Sequence, residues 1–160
     1  MGSGGVFLVL EAKTHAERRG VKPFARLVNV VSGHSSRSAS GGVESALAGL
    51  WASLGVTEVA TAIYTAATGA AVTTAEEAAF LSTHGDIPVR AVGSSFGHLS
   101  EAQFPLALAL GSLSLSRGAL IPPTDTSGRE TQVDVMPAKI VAVSVGHWRS
   151  EGMALLEAVS

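Results

Sequence analysis

The feature that most limits how this 160-residue chain can fold is an uncharged apolar run past its middle. From Phe104 to Leu115 it reads Phe-Pro-Leu-Ala-Leu-Ala-Leu-Gly-Ser-Leu-Ser-Leu, and apolar side chains fall on every side of a helix. A helix that is apolar all round is normally buried all round. The run is shorter than the ~20 apolar residues of a membrane span. We therefore expect a helix buried inside a protein, and no membrane span.

Signals on both sides predict where this helix begins and ends. Ser100 and Gln103 have the spacing of a capping box, and Pro105 should kink the entry. Arg117 and Gly118 supply a cation and a left-handed stop at the carboxyl end. The helix is therefore expected to run undisturbed from Pro105 to Arg117.

Composition excludes several classes of function. Eleven basic and 13 acidic side chains give a net charge of −2 with no run of either sign, so no nucleic-acid partner is expected. The absence of cysteine excludes disulfides, a thiolate nucleophile and a cysteine metal site, and it fits the cytoplasm. The amino terminus shows no secretory signal. His15 and His34 have no second ligand at metal spacing and should be exposed, and no metal or cofactor is expected.

The balance of residue types predicts a protein partner. Hydrophobic residues make up 46% of the chain and charged residues 15%. This is more apolar than is usual for a free-standing domain of this size, so some apolar surface should meet another polypeptide.

Strand and helix patterns alternate along the chain, which we interpret as one domain over residues 1–160. Strands are predicted at 6–11, 24–31, 59–64, 88–92 and 139–145, and an apolar segment at 153–159 could pair with the last of them as a hairpin. Helices are predicted at 14–20, up to Gly55, and at 74–85, the first and third opening on capping boxes at Thr14–Glu17 and Thr74–Glu77. This alternation favours an α/β fold with a parallel or mixed sheet.

Several segments of the chain resemble those of one known family. Residues 5–20 read Gly-Val-Phe-Leu-Val-Leu-Glu-Ala-Lys-Thr-His-Ala-Glu-Arg-Arg-Gly. They resemble the strand and helix that open the second half of β-ketoacyl synthases, condensing enzymes with a thiolase-like fold. The likeness continues through Gly97-His98 and the long helix to the Arg-Gly-Ala-Leu-Ile-Pro-Pro-Thr of residues 117–124. It implies half of a thiolase-like fold, in which a mixed sheet carries helices on both faces and the central helix is buried against a second sheet.

The resemblance also implies which catalytic groups are missing. Enzymes of this family join an acyl group to malonyl on an acyl carrier protein, using a cysteine of the first half with two histidines and a lysine of the second. Here no cysteine is present, Ala66 stands at the place of the first histidine and Gly93 at that of the lysine. His98 alone matches. The family's glycine-rich loop is replaced by Gly-His-Trp-Arg-Ser-Glu at 146–151.

These losses weigh against catalysis by the chain alone. Decarboxylative carbon–carbon bond formation needs a thiolate to hold the acyl group and donors that stabilise the enolate. Loss of one such donor costs about 2.7–4 kcal/mol of transition-state stabilisation. His98 is the one candidate catalytic residue, either as a donor facing an acyl thioester or as a histidine that packs its turn.

Two other readings of the local sequence remain open. Ser94 and Ser95 beside His98 suggest a serine hydrolase, although no Gly-x-Ser-x-Gly elbow is present. Trp148 and Arg149 could anchor a partner or simply pack their loop.

Our leading hypothesis is a noncatalytic β-ketoacyl synthase-like subunit of fatty-acid or polyketide biosynthesis, comparable to a chain-length factor. It would form a hetero-oligomer with a β-ketoacyl synthase subunit, and acyl carrier protein is a further candidate partner. The alternative is the carboxyl-terminal part of a split 3-oxoacyl-[acyl-carrier-protein] synthase that is active only with a separate amino-terminal half. A third reading is an inactive remnant.

Overall fold

A five-stranded mixed sheet forms the middle layer of the structure. The computed structural model describes residues 2–65 and 68–159. The strands are β1 (Arg26–Gly33), β2 (Thr61–Thr65), β3 (Val89–Ala91), β4 (Lys139–Val145) and β5 (Glu151–Glu157). The helices are α1 (Lys13–Arg18), α2 (Gly42–Leu54), α3 (Ala71–Ser82), α4 (Val92–Phe96) and α5 (Gln103–Arg117), with a 3₁₀ turn at Ser100–Ala102 before α5.

The strand order is β1-β5-β4-β2-β3. Strand β2 pairs parallel with β3 and β4, whereas β5 pairs antiparallel with β4 and β1. The predicted mixed sheet and the predicted terminal hairpin are therefore confirmed. Because β1, β2, β3 and β4 all run the same way, their carboxyl ends lie at one edge of the sheet.

Each face of the sheet carries its own apolar cluster. On one face, α2 and α3 pack through residues such as Leu47 and Phe80 against Ile63, Val141 and Met153. The other face bears α5, and its buried residues are Ala62, Tyr64, Val92, Ala107, Leu115, Ile140, Ala142 and Leu156. Helices on both faces were expected, and the structure confirms them.

Helix α5 is covered on one side only by the described residues. The side toward the sheet is buried and consists of Gln103, Ala107, Gly111, Ser114 and Leu115. The remaining sides are half-buried along most of the helix and exposed from Ser116 onward. The complete burial that the sequence predicts therefore needs a further layer. No helix in the described ranges is long and apolar enough to cross a membrane.

The carboxyl end of α5 was predicted correctly and its beginning was not. Gly118 caps the helix with φ 67°, and the amide of Ala119 donates to the Ser114 carbonyl at 3.2 Å. The expected capping box is wrong, because Ser100 has φ 50° and Gln103 Oε1 accepts from the amide of Leu99 at 3.0 Å instead.

Two further capping boxes are also wrong. Helix α1 begins at Lys13 after Ala12, and α3 begins at Ala71, so that Thr74 lies within the helix and not before it. No side-chain cap is made at either start. Helix α2, in contrast, ends as predicted at Gly55, which has φ 70°.

The predicted buried strand at 6–11 is not formed. These residues belong to no strand of the sheet, and Phe7 is 96% exposed. The apolar run is real, but residues 6–11 pair with none of the five strands of the sheet. Without a neighbouring strand, its backbone cannot form a ladder.

Candidate functional site

The residues singled out by sequence gather at the carboxyl edge of the sheet. β2 ends at Thr65, β3 at Ala91 and β4 at Val145, and these strands are mutually parallel. In the resemblance, the first histidine belongs to the loop after β2, and the lysine and second histidine belong to the segment after β3. The glycine-rich loop corresponds to the loop after β4. Ligands of open α/β sheets bind outside the carboxyl ends of the strands. Topology alone therefore brings these three loops to one place.

His98 lies in the turn between α4 and the 3₁₀ turn and is half-buried. Its Nδ1 atom is buried and has no hydrogen-bond partner among the described residues. Its backbone carbonyl accepts a hydrogen bond from the amide of Gly2 at 3.0 Å. The ring can hold or move one proton, which suits a hydrogen-bond donor and does not by itself make a nucleophile.

The other two positions that the resemblance assigns to catalytic residues, Ala66 and Gly93, carry no reactive side chain. Gly93 lies in the first turn of α4, and its carbonyl accepts the amide of Gly97 at 2.9 Å. Ala66 lies outside the described residues, and its identity is read from the sequence alone. With no cysteine in the chain, no thiolate is available to carry an acyl group.

Ser94 and Ser95 hold a loop in place and are not set up as nucleophiles. The Ser94 hydroxyl donates to Asp125 Oδ2 at 2.6 Å, and the Ser95 and Thr124 hydroxyls are 2.6 Å apart. Glu130 ties the same loop to the sheet by accepting the amide of Ala91 at 2.6 Å. A serine hydrolase needs the serine proton to pass to a histidine. The hydrolase reading therefore finds no support in this geometry.

The loop that these serines hold contains one carboxyl with a shifted pKa. Hydrogen bonds from the Ser127 hydroxyl and then from Ser94 lower the pKa of Asp125, and the Ser127 amide adds to the effect at 2.8 Å. Donors to a carboxylate favour its charged form. Asp125 is thus ionised near neutral pH and acts as an acceptor that fastens the loop to α4.

The loop between β4 and β5 is a tight hairpin that presents a tryptophan. The amide of Gly146 donates to the Ser150 carbonyl at 2.7 Å, and Ser150 has φ 83°. A side chain at Gly146 would collide with the carbonyl oxygen of Arg149. Trp148 is 80% exposed, with the His147 ring edge-on at a centroid distance of 5.1 Å. Trp148 therefore contacts His147 within its own loop, and most of its side chain is open to solvent.

An ion pair between half-buried Arg37 and buried Glu151 holds this hairpin. Arg37 Nη1 donates to Glu151 Oε1 at 2.5 Å, and Arg37 Nη2 donates to the Gly146 carbonyl at 2.7 Å. Ser35 Oγ also donates to Glu151 Oε1 at 2.9 Å. The side chain of Glu151 has no exposed surface. A buried charge held this way fixes the loop at the site edge.

Sequence reasoning did not find this brace. Arg37 lies in the Ser/Gly-rich loop after β1, and Glu151 begins, 114 residues later, a strand that has no charge until it ends at Glu157. The available signal was a carboxylate at the start of a buried strand, which implies a partner without saying which one. His15 and His34 are exposed, as predicted. In the described part of the chain, no three potential ligand side chains group around a common point as a metal site would require.

Comparison with known sequences returns no relative. No known protein-family profile matches the chain, and no curated protein matches it.

Comparison of structures does find similar folds. A ketosynthase/chain length factor of the ishigamide system superposes with a TM-score of 0.69 at 18% identity over 94% of this chain. The fold is that of part of a ketosynthase. An oxazolomycin ketosynthase domain from Streptomyces albus gives a TM-score of 0.73 at 15% identity over 92% of this chain.

A third similar structure is a ketosynthase bound to a hexaketide and in complex with its type II polyketide synthase acyl-carrier protein. It matches with a TM-score of 0.71 at 16% identity over 93% of this chain. The present chain spans only 42% of that ketosynthase chain and 32% of the oxazolomycin domain. It therefore corresponds to less than half of the ketosynthases that it resembles.

Proposed function

We propose that the chain is a noncatalytic ketosynthase-like subunit that pairs with a condensing enzyme and shapes its acyl channel, in the manner of a chain-length factor. It would act in polyketide or fatty-acid biosynthesis, in the cytoplasm. Its partner would be a β-ketoacyl synthase subunit in a hetero-oligomer, and acyl carrier protein is a further candidate partner.

The observation that most supports this proposal is that the chain has a ketosynthase-like fold but lacks reactive side chains at the positions described above. The scaffold superposes on ketosynthases over more than nine-tenths of the chain, yet the chain has no cysteine and Gly93 has no side chain. A missing transition-state donor typically costs about 2.7–4 kcal/mol. A scaffold that persists without these groups is better suited to binding than to turnover.

A partner is supported by the open side of α5. The sheet covers one side of this helix, whereas its other side is half-buried and carries Leu106 and Leu113. In water, covering such surface is worth roughly 25 cal/mol per Å². A second layer from another polypeptide would complete the burial.

The experiment is co-expression of the chain with condensing enzymes encoded beside it, followed by native mass measurement of the purified assembly. We expect a stable heteromer with one intact synthase. Condensation assays with and without the chain should then differ in the length of the acyl product. A chain that stays monomeric and leaves product length unchanged would refute the proposal.

A split synthase is the second candidate, and His98 is the observation that favours it. We propose His98 as the residue that would contact an acyl thioester, because its half-buried ring keeps a buried Nδ1 atom without a partner among the described residues. In a split enzyme, His98→Ala should lower condensation by the pair about 100-fold or more, since general acid–base groups contribute 10²–10⁴-fold. In a noncatalytic subunit the partner's own groups would carry turnover, so a small effect would favour the first proposal.

A further inference from the structure

A cleft of about 320 Å³ lies between β3 and the chain that follows α5. It is formed by residues 118–122 and 132–136 together with Arg90 of β3. Its larger apolar residues are Leu120, Ile121, Val133 and Met136. Sites for small molecules have volumes of about 300–1,000 Å³ and combine apolar walls with a few polar groups. The cleft therefore has the size and composition of a site for a small ligand.

Arg90 is the only cation among the described residues that line the cleft. It is 1% exposed, whereas arginine is almost never fully buried unless it is paired. Within residues 2–65 and 68–159, Arg90 forms no ion pair with a carboxylate. The guanidinium cannot escape this cost by losing its proton. A buried charge of this kind is unfavourable until an anion compensates it.

The guanidinium also has hydrogen-bond donors to spare. Nε donates to the carbonyl of Ile121 at 2.6 Å, and Nη1 donates to the carbonyl of Val89 at 2.7 Å. An arginine side chain has five N–H donors. In the part of the chain that the structure describes, its Nη2 group donates to no other residue. Donors therefore remain for a ligand with oxygen acceptors.

The surroundings of Arg90 do not neutralise its charge. Gly118, which caps α5, lines the cleft, and the carboxyl end of a helix carries about half a negative charge. The two carbonyl groups that accept from Arg90 are dipoles without net charge. Asp134 is the one carboxylate residue in the lining, and it is exposed and forms no ion pair with Arg90. About half of the charge of the guanidinium is still uncompensated.

Hydrogen bonds hold Arg90 and the segment after α5 in fixed positions. Arg90 lies opposite Tyr64 in the pairing of β3 with β2, so both side chains lie on the face of the sheet that carries α5. The amide of Ile121 donates to the Tyr64 hydroxyl at 3.2 Å, while its carbonyl accepts from Arg90. A donor that is already positioned loses little conformational entropy when a ligand binds.

We propose that this cleft binds a small aliphatic carboxylate, whose oxygen atoms accept hydrogen bonds from the Arg90 guanidinium. Carboxylate and phosphate both match the donors of a guanidinium. A phosphate dianion would need a second cation, which the lining residues do not supply, and the carboxylate of Asp134 would repel it more strongly than a monoanion. Leu120 and Met136 would contact the hydrocarbon part of the ligand. This inference goes beyond the proposed function and does not depend on a partner.

The test titrates the full chain with butyrate and follows the Nε–H signal of Arg90 and the amide signal of Ile121 by NMR. Both signals should shift and reach saturation. Butyramide has nearly the same shape without the charge and should bind about 10-fold more weakly or worse, because charge-assisted hydrogen bonds are about twice as strong as neutral ones. Inorganic phosphate should also bind about 10-fold more weakly than butyrate. Phosphate that binds more tightly than butyrate would overturn the carboxylate assignment.

The length of the hydrocarbon chain tests the apolar wall of the cleft. Each methylene added between acetate and butyrate should tighten binding about fourfold, the factor that corresponds to burial of one methylene group. Acetate and butyrate that bind equally well would show that the hydrocarbon part stays in water, which contradicts an aliphatic ligand.

Three variants test the charges of the cleft. Arg90→Lys keeps the positive charge without the planar donors and should weaken butyrate binding about 10-fold. Asp134→Asn leaves Arg90 untouched, removes a repelling carboxylate and should tighten butyrate binding about threefold. Asp86→Asn makes the same change at an exposed position outside the cleft and should leave the affinity as it is. If Arg90→Lys does not fold, the pair of aspartate variants and the neutral analogue still decide.

Two results would overturn the site. Butyrate that leaves the Arg90 signal unshifted, or that binds no better than butyramide, would mean that Arg90 only fastens the segment after α5 to β3. Equal effects of Asp134→Asn and Asp86→Asn would mean that the ligand binds elsewhere on the surface. Neither result bears on whether the chain forms a heteromer, so the proposed function is tested separately.

Discussion

The two faces of the sheet differ in how completely the chain covers them. The face under α2 and α3 is closed by a cluster that runs from Val43 to Leu155, and many of its members are less than 10% exposed. The face under α5 has a smaller buried cluster, and around it Leu106, Leu108 and Leu110 are only partly buried. The chain has thus completed one half of its interior and left the other half open.

The side chains on the outer surfaces of α2 and α3 differ from those on the uncovered side of α5. The exposed residues of α2 and α3 are mostly small, such as Ser45, Ala48 and Gly49 of α2. The uncovered side of α5 carries larger apolar side chains instead, including Leu106 and Leu113, and has no charge between Phe104 and Ser116. The open face is better explained by a missing layer than by tolerance of solvent.

The largest expected effect tests the closed face. Leu47 has no exposed surface, so Leu47→Ala should lower the free energy of unfolding by about 2–5 kcal/mol in urea titrations. Leu113→Ala removes the same atoms from the half-buried side of α5 and should cost about 1 kcal/mol in the chain alone. Equal losses at the two sites would mean that the two faces are equally well packed, and would contradict the comparison.

The second-largest effect is expected at the ion pair between Arg37 and Glu151. Arg37→Ala should destabilise the chain by about 3 kcal/mol, because it strands the buried carboxylate of Glu151. The control is Arg26→Ala, which breaks the exposed pair with Glu157 at 2.6 Å and should cost less than about 1 kcal/mol. The free energy of unfolding of both variants would be measured by chemical denaturation. A loss for Arg37→Ala no larger than that for Arg26→Ala would show that the ion pair with Glu151 does not stabilise the hairpin.

A smaller effect is expected at the buried polar contact of the open face. Tyr64 is fully buried; its hydroxyl lies 2.7 Å from Ser114 Oγ and accepts the amide of Ile121 at 3.2 Å. Tyr64→Phe should cost about 1–2 kcal/mol, since it leaves these groups unpaired. Adding Ser114→Ala should recover part of that loss in the same melting experiment. A double variant that is additive would show that the two side chains are not coupled.

The smallest effects compare glycines in α2 and α5, which lie on opposite faces of the sheet. Gly49 in α2 has open space where a side chain would be, so Gly49→Ala should raise stability by about 0.5–1 kcal/mol. At Gly111 in α5, an added Cβ would lie 3.0 Å from Leu156 Cδ1 and 3.1 Å from Ile140 Cγ2. Gly111→Ala should therefore gain less or lose stability. Equal gains in melting temperature would show that α5 is not seated closely on the sheet.

Local patterns predicted the elements best where local physics decides them. Strand β4 was predicted with its observed bounds of 139–145, and α2 ends at Gly55, where a left-handed conformation favours glycine. The capping-box predictions at Ser100, Thr14 and Thr74 were wrong, because the helices begin at other residues. A match to a short motif does not by itself fix where a helix begins. The candidate site was only partly predictable. His98 remains a prediction from the resemblance, whereas the contact of Arg37 with Glu151 depends on pairing β1 with β5 and has no local signature.

The sequence by itself determined an α/β chain with a central apolar helix and no thiolate. These follow from composition, periodicity and residue identity, which are local properties. Only the tertiary structure decided that α5 is covered on one side, that residues 5–10 remain unpaired, and that Arg37 braces the hairpin loop. Such facts depend on which distant segments meet, because burial and pairing are properties of neighbours in space.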